Sequence, residues 1–143
     1  MSNYIPVTHK FVVVLNKKIP VGNVMNAVGH MAAGLAASYP RTSEMRFDDY
    51  VDKDSNVHAS ISDNPIIVLR ADNSNKIRTL RQALQEQGIH FVDFTSTMTE
   101  GTYAEQQERT RQTPEAELEY YGICAFGNIT KLEPLTKKFS LWH

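Results

Sequence analysis

Asn23, Asn26 and His30 recur at helical spacing within "GNVMNAVGHMAAGL", residues 22–35. At 100° per residue they form one stripe, with Ala27, Ala33, Gly34 and Ala37 around it, while Val24, Val28, Met31 and Leu35 occupy another face. Amide and imidazole groups at one-turn intervals, flanked by small residues, can hold a ligand that approaches the backbone closely. A solvent-facing stripe normally carries Lys, Glu or Arg, and this one carries none. The helix is therefore either covered on both faces or lines a pocket on one. The plainer alternative to a pocket wall is that Asn26 and His30 serve as packing struts bonded to loop carbonyls, since a buried polar group without a partner costs about 1–3 kcal/mol. The helix start near Gly22 and Asn23 also offers free N–H groups to an anion. Every helix has such an end, and "PVGN" is not a phosphate-loop sequence.

A second group follows an apolar run: "DFTSTMTEGTY" supplies Asp93, Thr95, Thr97, Glu100 and Tyr103. Ligands of open α/β sheets bind beyond the carboxyl ends of strands, and a carboxylate among hydroxyls there can position water or substrate. The same residue types also build caps and turns. "DKDSN", residues 52–56, places oxygens like a calcium loop, but Val57 stands where glycine is needed and the run ends at Asp63 instead of Glu. It reads as a solvated hairpin tip. His9, His58, His90 and His143 lack metal-ligand spacing, and there is neither a nucleophile elbow nor a CxxC pair, so no metal and no cofactor are expected. Cys124, the single cysteine, lies in the apolar run "GICAF", reads as a buried structural thiol, and suits a reducing compartment.

These groups must be positioned by elements that the pattern defines. "KFVVVLN", residues 10–16, is a continuous β-branched run of the kind covered on both faces. A helix runs from Gly22 or Asn23 to about Ser38, where Pro40 stops it. Residues 46–63 read as a hairpin-like excursion, and residues 64–71 as a second buried strand. In "SNKIRTLRQALQEQG", Ile77, Leu80 and Leu84 have helical spacing, with Ser74 as expected N-cap and Gly88 just past the end. "IHFVDF", residues 89–94, is a third strand. A helix across "AEQQERTRQ", a second begun by Thr113 and Pro114, a fourth strand at residues 121–127 and a last helix interrupted at Pro134 complete the chain. Strands alternating with helices predict one α/β domain over residues 1–143, its core from about 9 to 141: a four-stranded mixed sheet flanked by helices on both faces.

Composition narrows the function classes. Of 143 residues, 41% are hydrophobic and 22% charged, which is ordinary for a folded soluble domain. Fifteen Lys and Arg against sixteen Asp and Glu give a net charge of −1, without the basic footprint of a dedicated nucleic-acid binder. The longest charge-free stretch, residues 19–40, holds two Asn, a His and three Gly, a poor bilayer span. No basic segment followed by an apolar core marks the N-terminal residues as a signal peptide, so the expected location is the cytoplasm.

Two long stretches, "KFVVVLNKKIPVGNVMNAVGHMAAGLAA" and "VDFTSTMTEGTYAEQQERTRQTPEAELEYYGICAFGNITKLEPLTKKF", resemble the bacterial domain of unknown function 2000 over nearly the whole chain. "TPEAELEYYGICAFG" with the "LTKKFSL" ending is the most specific part. That family is similar in fold to type II peptidyl-tRNA hydrolases, and the resemblance implies a four-stranded mixed sheet and pairing as a homodimer. It matches Lys10 to the lysine leading the hydrolases' first strand, His30 to a histidine of their site helix, and Asp93 and Thr97 to a motif after the third strand. Asn23 and Ala27 stand where those enzymes carry lysine and glutamine, and residues 101–121 form a helical insertion. What the resemblance implies is an ester or amide hydrolase acting on an aminoacyl or peptidyl type of substrate. Lys10, Asp93 and Thr97 would be catalytic in it, while Asn23, Asn26, His30 and Thr95 would bind substrate. The departures, with the charge balance, argue against a tRNA substrate. They motivate the alternative of a non-catalytic module that binds a small ligand or a protein on the same scaffold.

Overall fold

In the computed structural model, which describes residues 6–143, Lys10 to Asn16 are all buried. That strand, β1 (His9–Asn16), is the middle of a sheet whose other members are β4 (Ile66–Ala71), β5 (His90–Thr95), β6 (Tyr120–Asn128) and β7 (Ser140–Leu141), in the order β5-β6-β1-β4-β7. β1 and β4 run parallel, and the remaining neighbours are antiparallel. Period-two alternation sorts the side chains: Phe11, Val13 and Leu15 pack with α1 (Val21–Ser38), while Val12 and Val14 join the core under α2 (Ser74–Glu86) and α4 (Ile129–Thr136). α3 (Tyr103–Arg111) lies against the 3₁₀ turn Ser96–Met98, and the antiparallel pair β2 (Phe47–Val51) and β3 (Val57–Ser62) forms a separate two-stranded sheet.

β6 passes so close to its neighbours that residue 122 has no room for a side chain. A Cβ there would lie 2.7 Å from Leu15 Cδ2 and 3.1 Å from both Met31 Cε and the Val14 carbonyl oxygen. Cys124, two residues on, is buried in the core under α1, and burial pushes its thiol pKa up to about 12.

The mixed α/β architecture matches the expectation, with corrections in detail. The main sheet has five strands instead of four, because Ser140 and Leu141 add to the outer edge of β4 opposite Arg70 and Leu69. The N-cap of α2 is Asn73 and not Ser74: the Asn73 side chain accepts the Lys76 N–H at 3.1 Å, while the Ser74 hydroxyl accepts the Tyr120 N–H at 2.8 Å. The expected helix after Pro114 is only the 3₁₀ turn Glu115–Glu117, and α4 continues through Pro134 without a break. The hairpin is present and anchored at its base, where the Asn64 amide donates to the Glu44 carbonyl at 2.7 Å and the Asp63 N–H to the Arg46 carbonyl at 3.0 Å. At its tip, Asp52 Oδ1 accepts the N–H groups of Asp54 and Asn56 at 2.9 and 3.0 Å, which closes the turn. The first five residues of the expected domain lie outside the described ones. Among the described residues no helix is long and apolar enough to cross a membrane.

Candidate functional site

A cavity of about 700 Å³ opens between α1, β5, the turn Ser96–Met98 and α3. β5 is an edge strand, and its alternation sends Val92 and Phe94 towards α1. With Met31 and Met98 they make an apolar floor. Asn26 and His30 from α1 and Tyr103, Gln106, Gln107 and Arg111 from α3 supply polar groups around it.

α1 contributes as its pattern predicts, in part. Val24, Ala27, Met31 and Leu35 are buried against the sheet. Most of the charge-free stripe turns away from it: Asn26 and His30 reach the cavity, and Asn23, Ala33 and Ala37 are exposed, Asn23 lying outside the cavity wall, whereas Ala27 is buried against the sheet and Gly34 is half-buried. The His30 ring lies 5.9 Å from that of Phe94 at a 30° tilt. No side-chain hydrogen bond engages Asn26 or His30 among the described residues, so both keep their capacity for a ligand.

α3 is held differently, because none of its residues is buried. Its start is fixed by a capping box in which the Thr102 side chain accepts the Glu105 N–H and the Glu105 carboxylate accepts the Thr102 N–H. Arg109 Nη1 donates to the carbonyls of Thr97 and Glu100 at 3.0 and 3.1 Å. Thr110 Oγ1 lies 2.8 Å from Thr97 Oγ1, which lies 2.7 Å from Thr95 Oγ1. The hydroxyls of Thr95 and Thr97, both buried, are therefore engaged in the chain that seats the turn and α3.

Asp93 belongs to the cavity wall, but its carboxylate is committed elsewhere. Its strand position alternates with Val92 and Phe94, and Arg81 Nε of α2 donates to its Oδ2 at 2.9 Å. The Arg81 guanidinium also sits 5.4 Å from the centre of the Phe91 ring. Burial works against the Arg81 charge, but the bond to Asp93 and its negative charge outweigh it and raise the guanidinium pKa.

Lys10 takes no part in this cavity. It points to the α4 side of the sheet, where its Nζ lies 3.9 Å from Glu133 Oε1. Asp93 pairs with Ile123, which pairs with Val14, so Lys10 is four residues along β1 and two strands across from Asp93. That is about 13 Å along the strands and about 10 Å across them. The structure thus brings Asn26, His30 and Asp93 to one cavity and leaves Lys10, Asn23, Thr95 and Thr97 out of its wall. Gln106, Gln107 and Arg111 join the cavity beyond the residues that the sequence pattern marks, although Tyr103, Gln107 and Arg111 share one helical face at i, i+4 spacing, which the sequence does carry.

The family described as "Protein of unknown function (DUF2000)" matches residues 9–143. The chain belongs to this family. A solved structure similar to this DUF2000 chain is that of a protein of unknown function, Atu0240, from Agrobacterium tumefaciens. It has a TM-score of 0.81 at 21% identity, over 95% of this chain and 98% of that one. At that identity the likeness speaks for the fold alone. No curated protein matches the DUF2000 chain.

Proposed function

We propose that this DUF2000 protein binds a small aminoacyl-type molecule in the cavity between α1, β5 and α3, and releases it unchanged. The observation that carries this reading is the cavity itself. Its volume of about 700 Å³ falls within the roughly 300–1,000 Å³ of small-molecule sites, and its apolar floor is ringed by a few polar groups. An apolar side chain would lie on Val92, Phe94 and Met98, while the Asn26 amide, the Gln106 side-chain carbonyl, whose own amide N–H donates to the Gly101 carbonyl at 3.3 Å, and the His30 imidazole would bond the amide or ester portion. The hydrolase reading needs Asp93 within hydrogen-bond reach of a water in the cavity, and its carboxylate is bonded to Arg81 on the α2 side.

Calorimetry and turnover assays with N-acetyl-leucinamide and N-acetyl-phenylalanine methyl ester test both readings at once. Saturable binding without product is expected, with affinity falling about two- to tenfold in His30→Ala or Gln106→Ala, the worth of one hydrogen bond. No binding by either compound, or binding indifferent to both substitutions, overturns the proposal. Ester or amide cleavage lost in Asp93→Asn replaces it with the hydrolase.

A further inference from the structure

We infer that Lys10 anchors a small monocarboxylate with an apolar body in a second cavity, on the opposite face of the sheet from the first. Residue 10 continues the row of Val12 and Val14 against α4, a position that the core pattern fills with apolar side chains. The lysine side chain there is only 8% exposed. A buried ammonium presents three donors and requires acceptors. Its anionic neighbour among the described residues, Glu133, is 64% exposed and stands 3.9 Å away, beyond hydrogen-bond distance. The Thr136 hydroxyl on the same wall is already spent, donating to the Leu132 carbonyl at 3.0 Å.

Beside the Lys10 ammonium is a cavity of about 270 Å³ walled by Val12, Ile67, Leu69 and Phe139. Lys137 and Glu133 also line it, so the facing charges sum to one positive, with Lys10 the buried one. A carboxylate supplies acceptors that the ammonium lacks, and a short aliphatic or aromatic body fits the walls. The size lies below the range of drug-sized ligands, which limits the body to a few carbons. Glu133, being largely in solvent, can swing away when the carboxylate takes its place.

Sodium hexanoate titrated into the full chain, followed by two-dimensional NMR with hexanol as the uncharged match, tests this. Expected are saturable hexanoate shifts at Lys10, Ile67, Leu69 and Phe139, no such shifts with hexanol at equal concentration, and at least a tenfold loss of hexanoate affinity in Lys10→Met. Ile67→Phe, which fills the cavity and leaves the ammonium in place, must also weaken binding, and it serves as the deciding variant should Lys10→Met not fold. Absent shifts, equal shifts from hexanol, or unchanged affinity in the folded variants overturn the inference. So do shifts centred on His30 and Phe94, which would place the acid in the first cavity.

Discussion

Tyr39, Glu44 and Arg41 meet at the end of α1 on one face of the sheet; Tyr120, Glu115 and Arg78 meet beside α2 on the other. In each trio the phenol donates to the carboxylate, at 2.6 Å for Tyr39 and 2.7 Å for Tyr120. In each, an arginine bonds the same carboxylate, at 2.7 and 2.9 Å, and lies 5.1 or 5.2 Å from the centre of the tyrosine ring. Burial first, and the carboxylate second, raise both phenol pKa values. With the closing chemistry so alike, the difference between the faces lies in the covering helices. α2 buries Ile77, Leu80 and Leu84, whereas α3, the second cover on the α1 side, has no fully buried residue, only the half-buried polar Gln106, Arg109 and Thr110, and is fixed by hydrogen bonds. A helix attached through its polar side chains leaves space beneath it. The large cavity is that space.

Leu84→Ala should do the greatest damage, about 2–5 kcal/mol of unfolding free energy in urea, because it removes a fully buried side chain from the closed face. Gln107→Ala on α3 should stay within about 0.5 kcal/mol. Equal losses from the two would remove the distinction between the covers.

Gly122→Ala comes next and tests the layer beneath both covers. The added methyl meets the Leu15 side chain at 2.7 Å, and Met31, which lines the cavity floor, at 3.1 Å. Overpacking of this kind costs about 1–3 kcal/mol, measurable in the same denaturation experiment. Because Met31 can yield towards the cavity, the variant should also weaken ligand binding there, while hexanoate binding on the other face is unaffected.

The two trios should contribute to the acid limb of stability in the same sense. Hydrogen bonding from Tyr39 and Tyr120, foremost among the causes, lowers the pKa of Glu44 and Glu115 below the ordinary carboxylate value. Their contribution is therefore present above the unfolded pKa near 4.5, and it is lost as pH falls through the lower folded values. Glu44→Gln or Glu115→Gln should flatten the fall in thermal midpoint between about pH 5 and 3, by a modest amount because both carboxylates are partly in solvent. A steeper acid limb in either variant would contradict the shared role.

The sheet was legible where its residues form long apolar runs, as in β1 and β6, and α1 was legible from its period and the proline after it. β7 was not, because two residues carry no alternation and their pairing depends on where α4 ends. In the site, the absence of charge along α1 was enough to point to Asn26 and His30. Asp93 and Lys10 were harder, although strand alternation speaks to both: Asp93 shares a side with Phe91, and Lys10 with Val12. What the sequence withholds is which helix covers which side, and hence that Arg81, twelve residues before Asp93, would claim its carboxylate. The hydroxyls of Thr95 and Thr97, two residues apart, likewise gain their meaning from Thr110, which arrives on a helix of its own.

His30→Ala should have the smallest effect on stability and the clearest one on function. The ring is exposed, lies beside Phe94 with no side-chain hydrogen bond among the described residues, and projects from a helix whose buried face is complete without it. The change in unfolding free energy should therefore stay within about 0.5 kcal/mol. Alanine is also the better helix former, which offsets part of any lost contact. A strut would behave otherwise, because removing it would leave a carbonyl unpaired and cost about 1–3 kcal/mol. Urea denaturation of this one variant separates the two readings of the α1 stripe: a loss above about 1 kcal/mol makes His30 part of the scaffold, and an unchanged midpoint with weakened binding makes it part of the cavity.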